Sequence, residues 1–258
     1  MIALLRIAVV VVVLVLLARA ARVAWRNRRL ALVVWRRIGA RHVAGSLGLV
    51  VVVLATALAL LQFVPVTSLG LGRLIGLSGN AVFAPLEEAT LRSGGGSPPA
   101  APIDPAEPVA LPRPSLPVAA GTVVFLGGLL LLFPWLAYVE ERVFREGLED
   151  ATLGLQVWRA LKFGLLHMVM LIPLAAALAI GVAGFVYGRI YRRAYQRAAE
   201  QSEVVQGPFG IPVVRPPSVQ RLRAHAVLET TVWHAAFNST IVALVLVGFV
   251  VDWTLRAA

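Results

Sequence analysis

Five polar residues of this chain stand in stretches that are otherwise apolar: the adjacent carboxylates Glu140 and Glu141, the histidines His167 and His234, and Asn238. Inside a hydrocarbon layer an ionisable group costs several kcal/mol, so each must face a partner, a cavity or a functional site. Carboxylates and imidazoles can take up and relay protons, and imidazole and amide N–H groups can stabilise a developing negative charge. Spacing adds to this, because residues four apart share one helix face. Glu141 is related in that way to Arg145, Phe163 to His167, and His234 to Asn238.

Depth gives a second relation. Glu140 lies ten residues before Asp150, His167 about ten to twelve into its segment, and His234 about nine or ten after His225. At about 1.5 Å per helical residue, all three come out roughly 15 Å from the helix ends that flank them. Taken singly, each feature has an ordinary explanation. Glu140-Glu141 with Arg142 and Arg145 reads as a charged helix end, His167 and Asn238 as interhelical hydrogen bonds, and Phe163 as packing. Arg159 and Lys162 can snorkel to head groups. The conjunction at one level favours a shared site.

The elements that must carry these residues follow from composition. Of 258 residues, 59% are hydrophobic and 14% charged, which is the balance of a membrane protein. Several runs reach the roughly 17–25 apolar residues that cross a bilayer core as a helix. With no cysteine, disulfides and thiolate chemistry are excluded. The net charge of +11 comes almost wholly from arginine, Lys162 being the only lysine. Arginines flanking apolar runs anchor helices against anionic head groups, and no polar soluble fold is present to offer them to nucleic acid.

The expected fold is an all-α polytopic transmembrane bundle of about six spans plus one interfacial amphipathic helix. The first span, from Ile2 to Ala18, is followed rather than preceded by its arginines, which excludes a signal peptide. Val23, Trp25, Leu30, Val33, Val34 and Trp35, set among Arg19 to Arg41, suggest the interfacial helix. A second span runs from about Ala44 to Val66 and completes an N-terminal unit over 1–66. A Pro/Gly-rich external linker is expected over 67–118, with one short amphipathic helix from Asn80 to Leu91.

The third span is Ala119 to Val139, its helix continuing to about Asp150. The fourth covers Leu155 to Pro173 and the fifth Leu174 to about Tyr191, its small residues allowing close helix approach. A loop from Gln196 to Gln220 precedes the last span, about His225 to Val251, so that 119–251 forms the core unit. The arginine distribution puts both termini outside and the Arg19 to Arg41 segment in the cytoplasm.

Three motifs in order, Glu140-Glu141-x-x-x-Arg145, Phe163-x-x-x-His167 and His234-x-x-x-Asn238, resemble the CPBP intramembrane protease family, which includes CAAX-processing endopeptidases and bacteriocin-immunity proteins. Gly184-Phe185-Val186-Tyr187-Gly188 is also similar to the family, and the resemblance covers about Gly121 to Val250. In the family a glycine follows the motif arginine directly, whereas here Glu146 stands before Gly147.

The resemblance implies a glutamate-dependent endopeptidase, without a metal or other cofactor, acting on a membrane-associated protein or peptide. The site would open to the cytoplasmic side of a bacterial inner membrane. It implies that Glu140 and His167 hold and deprotonate a water, that His234 and Asn238 donate to the oxyanion, and that Glu141, Arg145 and Phe163 support the site. Three alternatives stand beside it. Glu140, His167 and His234 could instead ligate zinc. The residues could be polar glue in a scaffold or immunity factor. A proton-relaying transporter is disfavoured by the lack of an inverted repeat.

Overall fold

The structure, a computed structural model, describes residues 2–70, 115–201, 203–206, 212–215 and 217–255. The expected linker falls mostly outside the described residues, as does the short helix expected within it. Seven α-helices are present among the described residues: α1 (Ile2–Arg26), α2 (Arg28–Arg37), α3 (Ala40–Phe63), α4 (Leu116–Arg145), α5 (Leu153–Leu166), α6 (Leu174–Ala199) and α7 (Val219–Leu255). The all-α bundle expected from composition is therefore the fold. Five of the helices, all but α2 and α5, are long and apolar enough to cross a membrane. Large apolar side chains such as Val12, Leu54, Leu131 and Val247 are exposed on their outer faces, as contact with lipid requires.

The fourth expected span is not one helix. α5 has 14 residues and passes into a 3-10 turn at His167–Met170. Leu171 then takes a left-handed conformation, and Pro173 stands just before α6. At about 1.5 Å per α-residue and about 2 Å per 3-10 residue, the two pieces together reach about 29 Å, enough for a crossing. They do reach the far end of a neighbour, because the Leu174 N–H donates to the Leu69 carbonyl just past α3, 2.9 Å away.

The other helix ends also depart from expectation for local reasons. α4 stops at Arg145 instead of Asp150, because Gly147 turns the chain at φ 86°, a conformation that suits a residue without Cβ. Thr152 then caps α5, its hydroxyl accepting from the Leu155 N–H. α6 runs on to Ala199, eight residues beyond Tyr191. In place of a plain loop, Glu203–Gln206 (β1) and Pro212–Arg215 (β2) pair antiparallel, with Val204 opposite Val214 and Val205 opposite Val213. β-branched residues on both sides favour that pairing.

α4 packs on α7, α6 on both α5 and α7, and α3 lies against α6 and α7, while α1 touches the bundle lightly through α4. Small residues decide the closest approach. Ala175, Ala179, Gly181, Ala183 and Gly184 of α6 are buried, and a Cβ on Gly164 of α5 would strike the Ala177 carbonyl oxygen and lie 2.7 Å from the Gly181 nitrogen. Backbones in van der Waals contact are how helices associate where no hydrophobic gradient drives them.

Candidate active site

α4 carries Glu140 and Glu141 near its C-terminal end, α5 brings His167 at its C-terminal cap, and α7 brings His234. The helix counts that suggested a common depth do not survive. Glu140 is five residues from the end of α4, while His167 is fourteen from the start of α5 and His234 fifteen from the start of α7. The side chains nevertheless meet, because α7 and the 146–152 connection extend past the end of α4.

Glu140 Oε2 lies 3.6 Å from His234 Nε2 and 4.0 Å from His167 Nε2. Both separations exceed a direct hydrogen bond, and Glu140 Oε2 has no hydrogen-bond partner among the described residues. The Glu140 side chain as a whole is 32% exposed and that of His167 15%, but Glu140 Oε2 itself is enclosed.

Deeper in, the network is closed. His234 Nδ1–H donates to Glu141 Oε1 over 2.8 Å. Glu141 Oε2 is 3.5 Å from Arg145 Nε, both side chains being buried to within 1%. This pair matches the expected i,i+4 relation, but Glu141 also holds the imidazole, which spacing alone did not reveal.

The His167 ring is fixed by its helix end. Its backbone N–H turns to the Gly164 and Leu165 carbonyls, which leaves the Phe163 carbonyl to accept from the ring Nδ1–H at 2.8 Å. With Nδ1 engaged there, Nε2 is the ring nitrogen that faces Glu140.

Phe163 packs against both histidines and Arg145. Its ring lies edge-on to His167 with centroids 4.7 Å apart, 5.7 Å from His234 and 5.2 Å from Phe144, and the Arg145 guanidinium sits over its face at 4.5 Å. A cation over an aromatic face is favourable, and more so where water is excluded. The packing depends on Gly184, whose Cβ would come 2.7 Å from the Phe163 ring and 3.3 Å from Arg145. Asn238, one turn beyond His234, is half-buried and makes no side-chain hydrogen bond among the described residues.

Two features were missed by sequence reasoning. Tyr187 of α6 is buried and stacks on His234, with centroids 4.8 Å apart and planes 23° apart. It stands in the Gly184 to Gly188 segment, whose pattern does not show which helix it meets. Glu149 binds three elements together: its carboxylate accepts from Arg223 Nε at 2.6 Å and from Tyr191 at 3.1 Å, and its carbonyl accepts from Arg192. Burial pushes the Glu149 carboxyl up. Its backbone N–H, the donors Arg223 and Tyr191, and the Arg223 charge outweigh that and hold it below the ordinary value. The partners lie 42 and 74 residues away, beyond any local pattern.

Zinc would require donors about 3.4 Å apart, from bonds of about 2.0–2.2 Å in a tetrahedron. The 4.0 Å separation from His167 is wider than this, the 3.6 Å separation from His234 matches only the longest such bonds, and among the described residues no three His, Asp or Glu side chains come together closely enough to hold a metal. No family model, curated protein or solved structure matches the chain.

Proposed function

We propose that this protein is an intramembrane endopeptidase in which Glu140 activates water, similar to the CPBP family, and that it cleaves a membrane-associated protein or peptide. The observation that carries the reading is the position of Glu140 Oε2 between two imidazole nitrogens, 3.6 and 4.0 Å away, in helices separated by up to 94 residues of sequence.

A water in that gap donates one hydrogen to Glu140 and the other to His167 Nε2, since both are acceptors. Its oxygen lone pairs are then left for the scissile carbonyl. Proton transfer to Glu140 accompanies attack, and the same carboxyl returns the proton to the leaving amine. The oxyanion faces His234 and Asn238. With Nδ1–H committed to Glu141, donation from His234 Nε2 requires the ring to carry both protons. Glu141 and Arg145 hold that ring in place from behind.

The arginine distribution supports a cytoplasmic opening in a bacterial inner membrane, with both termini outside and six crossings, α5 and its 3-10 turn forming one of them. Cysteines introduced into this cysteine-free chain at Gly95 and Arg29 and labelled from one side test that orientation. Labelling of Gly95→Cys only after permeabilisation overturns it.

Comparison of membrane proteomes from native cells carrying wild type or Glu140→Gln identifies the substrate and tests the reaction. One membrane-associated protein should accumulate uncleaved, and cleavage of it by purified protein should fall about 10²-fold or more in the variant. Chelator should leave the wild-type rate unchanged. Loss of activity on chelation with recovery on adding zinc rejects this mechanism for the metal one. An unchanged proteome with an intact wild-type phenotype in Glu140→Gln rejects catalysis in favour of a scaffold or immunity factor.

A further inference from the structure

A groove of about 670 Å³ lies between α1, α2 and α4, away from the carboxylate–histidine cluster. Small residues make it: Ala18, Ala21 and Ala24 on α1, Ala31 on α2 and Gly128 on α4 all line it. At Gly128 an added Cβ would meet nothing within 4 Å, so the space is open up to the backbone. Along α1 the groove extends from Leu14 to Trp25. At about 1.5 Å per residue that is about 16 Å.

The two ends differ. One is wholly apolar, bounded by Leu14, Val124 and Phe125. At the other stand Trp25, Trp35 and Arg28, the Arg28 guanidinium 5.4 Å from the Trp25 ring centre. Tryptophan and arginine together mark the head-group level of a bilayer. Charge there is one-sided. Arg22, Arg26, Arg28 and Arg29 stand at this end, no acidic residue occurs before Glu87, and none of the four has a carboxylate partner among the described residues.

We infer that this groove is a binding site for one anionic phospholipid, its acyl chain along α1 and α4 and its phosphate at Arg28. Length decides against a protein segment as the occupant. A partner helix in the membrane would need a groove along the full core of about 30 Å, whereas about 16 Å is the depth of a single leaflet. Charge decides the head group, because basic pockets between membrane helices select anionic lipids by about 1 kcal/mol per arginine, or about fivefold. The inference does not depend on the proposed peptidase reaction.

The test is native mass spectrometry of the full chain after incubation in mixed micelles of phosphatidylglycerol and phosphatidylcholine. Wild type should retain one phosphatidylglycerol in preference to phosphatidylcholine. Gly128→Phe places a ring in the open space and should abolish retention, with the helical circular dichroism unchanged. Arg28→Gln should keep the lipid but lower the preference about fivefold. Equal retention of both lipids by wild type, or retention untouched by Gly128→Phe, overturns the inference. If Gly128→Phe does not fold, Ala21→Leu is the substitute, and undiminished phosphatidylglycerol on that variant overturns it equally.

Discussion

Glu140→Gln and Glu141→Gln are the same chemical change one residue apart, and their surroundings give them opposite consequences. The Glu140 side chain is 32% exposed and its nearest imidazole nitrogen is 3.6 Å away, so amidation breaks no direct hydrogen bond. Its effect on stability should stay within about 0.5 kcal/mol, while cleavage falls by about two orders of magnitude. Glu141 is wholly buried against Arg145, itself 1% exposed. Amidation leaves that guanidinium as an unpaired buried charge, which costs about 3–5 kcal/mol.

The lower end of that range applies, because Arg145 keeps the face of Phe163 at 4.5 Å and glutamine still offers His234 an acceptor oxygen. A loss of about 3 kcal/mol corresponds to a melting point lower by about 6–12 °C in a chain of this size. Thermal unfolding in detergent, followed through the six tryptophans, measures it. Adding Arg145→Met to Glu141→Gln removes the stranded charge and should recover at least half of the loss. The reasoning is refuted if Glu141→Gln melts within 2 °C of wild type, or if Glu140→Gln is equally destabilising.

Four further outcomes follow from individual contacts. Tyr187→Phe removes a buried hydroxyl that has no hydrogen-bond partner among the described residues and keeps the ring on His234, so it should be neutral or slightly stabilising. Tyr187→Ala should cost about 3–5 kcal/mol by thermal unfolding. Gly164→Ala puts a methyl into the Ala177 carbonyl, forces α5 from α6 one turn before His167, and should cost at least about 1–3 kcal/mol together with cleavage activity. Glu149 has a folded pKa below its unfolded value. Its contribution is therefore fully present above the unfolded value of about 4.5 and is lost as pH falls through the folded one. The drop in melting temperature between pH 6 and pH 3 should accordingly be smaller in Glu149→Gln than in wild type.

The sequence by itself determined the class and most of the elements of this protein. Runs of apolar residues long enough to cross a bilayer admit only helices there, since lipid satisfies no backbone hydrogen bond, and this is why α1, α3, α4, α6 and α7 were legible. The same constraint singled out Glu140, Glu141, His167 and His234, because a polar side chain in such a run must find company. One-turn spacing also anticipated the Glu141–Arg145 pair, an interaction internal to one helix.

What lies between helices was decided only by tertiary structure. The depth count failed for Glu140 because Gly147 ends α4 early, yet the cluster forms because the neighbouring helices overrun that end. Glu141 on His234, Tyr187 stacked beneath the same ring and Arg223 on Glu149 join residues 93, 47 and 74 positions apart. The groove along α1 is likewise made by alanines and a glycine on three different helices. Periodicity reports which face of a helix is polar or small, but the partner of that face is set by how closely backbones can approach, and that is a property of the packed bundle.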